Sequence, residues 1–145
     1  MNLKLDDIFG FKLYKNFTLL KGLVFEEFRL KEIDLNFEQW IILNRLWDED
    51  GLTQNALLEQ TMQKKGNLTR TLKKMEELNL VIKKNNKEDL RSCKIYLCPK
   101  AKNLKSKLRK IVFEKLSHAA KGIDKDDLNI ANQVLDQMEK NLRSK

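Results

Sequence analysis

Both ends of this chain carry helical patterns that one copy of the chain has no obvious way to cover. From residue 6 to about residue 31, Phe9, Leu13, Phe17, Leu20, Val24 and Phe28 recur at three- and four-residue steps, the period of a helix with one buried face. Phe11, Tyr14, Leu19 and Phe25 lie off that stripe, so the helix is apolar on more than one side and must be covered twice. At the far end Leu128, Ala131, Leu135, Met138 and Leu142 are spaced 3-4-3-4, the seam of two heptads, behind Asp124 or Asp126 as helix cap. These residues serve either as the core of a terminal helix or as a seam between two copies. The unclaimed face of the first helix favours the second, so the expectation is an intertwined homodimer. Its interface would use Phe9, Leu13 and Phe17 together with Leu128, Ala131, Leu135, Met138 and Leu142.

One Pro and five Gly in 145 residues leave little to interrupt helices, which makes the fold class mostly α. No apolar run approaches the ~18 residues that cross a bilayer, and the first residues are too polar for a signal peptide. The expected location is cytoplasmic, with no membrane partner. His118 is the only histidine, and there is no CxxC, HExxH, P-loop or GxGxxG, so neither a metal nor a cofactor nor an enzyme is expected. Cys93 and Cys98 lie on opposite faces if the segment is extended, which argues against their pairing. A redox-sensing thiol is the sharper reading of either, ordinary half-buried cysteine the plainer one.

The middle of the chain is punctuated differently. Residues 37–47 form an amphipathic helix that buries Trp40, Leu43 and Trp47, opened by Asn36 with Gln39 three positions on, a capping-box pattern. Thr53 caps a short helix over 54–60, and a second runs from about 65 to 78, a spacing that suits a helix-turn-helix. Two strand-like runs, 80–84 and 92–97, flank the polar segment 85–91 and predict a β-hairpin. Pro99 then suits the first turn of a long helix carrying Leu104, Leu108, Ile111 and Val112 on one side.

Positive charge is concentrated in the same region. Residues 62–110 hold 16 Lys/Arg against 4 Asp/Glu while the whole chain is +8, so the remainder is net −4. Segregated charge of this kind is the footprint of a polyanion. On the helix from 65 to 78, Leu68, Leu72 and Met75 form one side, and the other presents Gly66, Arg70, Lys73 and Lys74 with Asn67 near its start. Double-stranded DNA is the partner such a side fits. Arg70 has the fork for a guanine edge and Asn67 the paired donor and acceptor for adenine. Lys64, Lys65, Lys73 and Lys74 suit phosphates. The plain alternative is a solvated basic face. The hairpin favours DNA, because Lys83, Lys84, Lys87 and Arg91 extend the positive surface. Arg91 suits a narrow minor groove, and Asp89 would orient it or cap the turn.

In order along the chain, Leu35 to Trp40 before the domain, Leu52-Thr-Gln-Asn-Ala-Leu57, Leu68-Thr-Arg70, Leu80-Val81, Glu88-Asp-Leu-Arg91 and Leu97-Cys-Pro-Lys100 resemble the MarR family of winged helix-turn-helix regulators. The similarity runs from Phe9 to Leu142. It implies a winged helix-turn-helix over 35–98 and a helical dimerisation region over 1–34 and 99–145. Carried over by position, it implies DNA contacts from Asn67, Thr69 and Arg70 on the recognition helix and from Asp89 and Arg91 on the wing. The sequence departs from the family pattern at Asn79 and Ala101, where Gly is usual, and at Cys98, where Thr is usual. The redox-sensing branch looks to keep its cysteine in the first helix, where this chain has none. By resemblance the protein is a homodimeric transcriptional regulator, a ligand-responsive repressor on a pseudo-palindromic operator. A small aromatic or lipophilic effector would bind between the dimerisation helices and the winged domain. Phe11, Tyr14, Phe37 and Trp40 are candidates to line that pocket, with core packing as their alternative role. The rival class is a winged-helix protein-interaction module without sequence-specific DNA binding; RNA fits less well, since no stacking platform is evident.

Overall fold

A computed structural model of the protein describes residues 3–85, 87, 88 and 92–144. A single 3-10 turn at Leu5–Asp7 precedes helix α1, Phe9–Leu30. The first helix therefore starts three residues later than its periodicity suggested, because Ile8 is extended (φ −77°, ψ 122°) and breaks the helix from Asp6 and Asp7. Helix α1 ends in a Schellman motif: Glu32 is left-handed (φ 60°), and the N–H groups of Ile33 and Glu32 donate to the carbonyls of Phe28 and Arg29 at 2.8 and 3.0 Å.

Helix α2, Phe37–Asp48, opens with the anticipated capping box, Gln39 N–H to Asn36 Oδ1 at 2.8 Å and Asn36 N–H to Gln39 Oε1 at 3.0 Å. Thr53 caps α3, Gln54–Thr61, through Oγ1 to the Ala56 N–H at 3.1 Å. Helix α4, Lys65–Glu77, closes with a second Schellman motif in which Asn79 takes the left-handed position (φ 59°) and the Leu80 and Asn79 N–H groups reach Met75 and Glu76. Asparagine thus stands in for the usual glycine at tolerable cost. Helices α5, Pro99–Ala119, and α6, Lys125–Arg143, complete the chain. Cys98, as N-cap of α5, makes no side-chain capping bond. No described helix is long and apolar enough to cross a membrane.

The hairpin strands are β2, Val81–Asn85, and β3, Cys93–Leu97, antiparallel with Val81 opposite Leu97 and Lys83 opposite Ile95. The sequence pattern did not reveal a third strand, β1, Leu52–Thr53, which pairs with the outer side of β3 to give the order β1-β3-β2. Two residues are too few to show alternation. Asp50 supports the arrangement from the preceding turn, its Oδ1 accepting from the Leu97 N–H at 2.9 Å and from the Gly51 N–H at 3.0 Å. Gly51 is left-handed (φ 77°), and a Cβ there would stand 2.8 Å from Cε1 of Tyr96. Gly51→Ala should therefore destabilise the fold by more than the ~1–2 kcal/mol of the backbone conformation alone, measurable by urea denaturation.

One core joins these elements. Phe28 of α1, Ile42, Leu43 and Leu46 of α2, Leu57 of α3, Leu68, Leu72 and Met75 of α4, Ile95 of β3 and Leu108 of α5 are all essentially inaccessible to solvent. The α2–α5 joint is additionally polar: Trp47 Nε1 donates to the buried Ala101 carbonyl at 3.0 Å. The close approach explains a small residue at position 101, which is fully buried. Arg109 lies over the Trp47 ring and donates to Asp48 at 2.8 Å. That hydrogen bond, reinforced by the positive charges of Arg109, Lys105 and Arg45, holds the exposed Asp48 carboxyl below its ordinary range.

Helix α6 is the exception to this compactness. None of its residues is buried. Leu135 and Leu142 of the predicted seam are 41% and 75% exposed, Ala131 is exposed, and Leu128 and Met138 are half-buried. On α1, Phe9, Leu13 and Phe17 are likewise exposed.

Candidate nucleic-acid interface

Helix α4 separates its two roles cleanly. Leu68, Leu72 and Met75 are buried to 1% or less, which pins the helix to the core by one side. The other side necessarily faces out, and Gly66, Thr69, Arg70, Lys73 and Lys74 are exposed there, with Asn67 half-buried. Lys64 and Lys65 stand exposed at its start, behind a turn made possible by the left-handed Met62 (φ 60°).

The hydrogen bonds around α4 distinguish its candidate contact residues. The Thr69 hydroxyl is engaged twice, donating to the Lys65 carbonyl at 3.0 Å and accepting from Gln54 Nε2 at 3.2 Å. Its place is therefore partly that of a strut between α3 and α4. Asn67 Nδ2 approaches Gln63 Oε1 at 3.5 Å, and Gln63 Nε2 donates to the Glu38 carbonyl at 3.3 Å. Neither Gln54 nor Gln63 was singled out by the sequence; both act through tertiary hydrogen bonds that leave no periodic trace. Lys74 lies 3.9 Å from Glu77, and Lys83 on β2 lies 3.6 Å from Glu76. No ion pair of Lys64, Lys65, Arg70 or Lys73 occurs among the described residues, so their charges remain available to a ligand.

Beside this face, β2 carries Lys84, whose ammonium sits 5.2 Å over the Tyr96 ring, and the following bend carries exposed Lys87. Asp89 and Arg91 lie outside the described residues. Cys93 and Cys98 are free, half-buried thiols.

A separate apolar cavity of about 270 Å³ lies between α1, α2 and α5. Phe37 and Trp40 line it as the sequence suggested, joined by Phe17, Phe25, Val112 and Leu116. Phe11 and Tyr14 are not among its walls; they stack on one another, ring centres 5.9 Å apart, nearer the start of α1. Phe17, expected at the dimer interface, also lines the cavity, edge-on to Phe37 at 5.2 Å. The Lys21 ammonium stands 5.1 Å over the Phe37 ring.

A helix pair with an exposed basic second helix, followed by the β2–β3 hairpin of a three-stranded sheet, defines a winged helix-turn-helix protein. Residues 24–108 match the model of a family described as transcriptional regulator SarA/Rot, and the chain belongs to that family. It is 35% identical over 78 residues to the organic hydroperoxide resistance transcriptional regulator of Bacillus subtilis, covering 54% of this chain and 53% of the relative. It is 33% identical over 82 residues to the regulator SarZ of Staphylococcus aureus, covering 57% and 55%. The chain thus spans about half the length of the curated relatives it matches. In structure it is similar to a putative MarR-family transcriptional regulator from Listeria monocytogenes, solved with a 26mer DNA. That match has a TM-score of 0.83 at 23% identity, over 98% of this chain and 90% of the other. The resemblance to the MarR family is borne out, and so is the fold class.

Proposed function

We propose that this protein is a sequence-specific DNA-binding transcriptional regulator. The observation that carries the reading is the division of α4: one side is fixed in the core by Leu68, Leu72 and Met75, while Arg70, Lys73, Lys64 and Lys65 present on the other cations with no ion pair among the described residues. Arg70 and Asn67 read base edges, the lysines hold phosphates, and Lys87, Asp89 and Arg91 belong to a wing contact alongside. Its relatives are named as transcriptional regulators, and the Listeria structure includes DNA. Such a partner implies action in the cytoplasm, with no covalent chemistry of its own.

The regulator works as a homodimer. Exposed Phe9 and Leu13 on α1, and an α6 with no buried residue, are apolar surfaces that a second copy would cover. Residues 1–34 and 99–145 supply this dimerisation region and residues 35–98 the DNA-binding domain. Two recognition helices then meet successive major grooves of a pseudo-palindromic operator, where the protein acts as a repressor. The cavity between α1, α2 and α5, walled by Phe37 and Trp40, receives a small aromatic or lipophilic effector that favours one spacing of the two helices over another.

Fluorescence anisotropy on the duplex upstream of the gene and on a shuffled duplex, across a salt series, tests the reading. Preference for the upstream duplex by about a thousandfold, with a steep salt slope, is expected. Equal weak binding to both would reduce the protein to non-specific contact, and no binding to either would favour a protein-interaction module.

A further inference from the structure

We propose that Gln63 is a positioning residue for base recognition: it sets the orientation of the Asn67 carboxamide by tying it to the first turn of α2. The inference rests on the reading of Asn67 as a base-facing residue. Its physical basis is a chain of forced hydrogen-bond directions. The Glu38 carbonyl oxygen can only accept, so the Gln63 group 3.3 Å from it must be the Nε2 amide. That fixes which way the Gln63 carboxamide faces and turns its Oε1 toward Asn67, where an oxygen again accepts and the group 3.5 Å away must be Nδ2. The flipped Asn67 would set two carbonyl oxygens against each other. One main-chain carbonyl on α2 therefore dictates the polarity of a side chain on α4.

The consequence suits the chemistry of adenine. Asn67 gives one Nδ2 hydrogen to Gln63 and keeps the other together with Oδ1. Those two groups are the donor and acceptor that adenine N7 and N6 require. The Asn67 backbone is steadied separately, its carbonyl accepting from the Thr71 hydroxyl at 2.8 Å. Glu38 lies between Phe37 and Trp40, both walls of the α1–α2–α5 cavity. The anchor of this relay thus sits on the turn that an occupant of the cavity would touch.

The experiment pairs DNA selection with NMR on the intact protein. A duplex library selected with the unaltered protein, then base-substituted one position at a time, identifies the position at which Asn67→Ala abolishes preference. Gln63→Ala is expected to lower the preference at that position by about fivefold, the equivalent of one ordinary hydrogen bond. Other positions and the salt slope should not change, and Gln63→Ala should add nothing once Asn67 is Ala. Gln63→Leu, which removes both the donor to Glu38 and the acceptor toward Asn67 without adding charge, should behave like Gln63→Ala. Uniform loss across all duplexes, or an equal effect in the Asn67→Ala background, would overturn the proposal. In the DNA-free protein, the Asn67 side-chain amide resonances should shift when Gln63 becomes Ala, and unshifted resonances would also overturn it. If the unaltered protein selects no sequence, the DNA reading fails on its own account and the amide resonances still decide whether Gln63 holds Asn67.

Discussion

Leu135→Asp is expected to convert the proposed dimer to a monomer and to remove most of its operator affinity. In the proposed homodimer Leu135 occupies the centre of the α6 seam, and two-fold symmetry would place two copies of any substitution at one interface. A carboxylate there loses the apolar contact and must either be desolvated without a partner or hold the helices apart. Burying an unpaired charge costs several kcal/mol, so the dimer should dissociate at least about a thousandfold more readily. Because α6 buries no residue against its own chain, the monomer should keep its core and its helical circular dichroism. DNA binding would suffer through lost avidity: a single winged domain reaches one half-site, and joined half-sites gain on the order of a hundredfold to ten-thousandfold. Sedimentation equilibrium and anisotropy on the same preparations check both halves of the prediction. A Leu135→Asp protein that stayed dimeric, with unchanged operator affinity, would place the interface elsewhere.

What could be read in the sequence and what could not divide along physical lines. Periodic burial was legible, so α2, α3 and α4, the start of α5 and the basic side of α4 were placed within a residue or two, as were caps that depend on local residue type, such as Asn36 with Gln39 and Thr53. Asn79 stood out only through the resemblance, as the residue where Gly is usual, and it takes the left-handed conformation that asparagine tolerates. The start of α1 was misplaced because its apolar stripe says nothing about the extended Ile8 that separates it from Asp6. Strand β1 was missed because two residues carry no alternation, and Asp50, which braces it, acts across 47 positions of sequence. The same reason hid Gln54 and Gln63. Their neighbours on α4 lie far along the chain or on the far side of a turn, and a glutamine in a polar segment looks the same whether or not it meets a partner. The cavity was half legible. Its walls Phe37 and Trp40 sit on a helix whose apolar side was evident, but which stretch of α1 faces them depends on where α1 crosses α2. That crossing brings in Phe17 and Phe25 and leaves out Phe11 and Tyr14.

Arg70→Ala and Lys73→Ala should separate specificity from attraction. Both side chains are exposed on the same side of α4, and neither has an ion pair among the described residues, so neither change should alter thermal stability appreciably. Arg70 lies nearer the start of the helix, where recognition residues reach base edges, and its guanidinium can make two parallel bonds to guanine. Its removal should cost about 1–3 kcal/mol on the selected duplex, roughly six- to 150-fold, and much less on a shuffled one. Lys73 sits one turn further on, and its ammonium offers a point charge better matched to phosphate than to a base. Lys73→Ala should weaken binding to both duplexes by a similar factor and reduce the slope of log affinity against log salt by about one. Anisotropy titrations of the two variants on the two duplexes at several salt concentrations give all the quantities needed. If both changes weakened both duplexes equally, α4 would be a phosphate-binding helix without base contacts from Arg70. Sequence preference would then have to come from the wing or from the shape of the DNA itself.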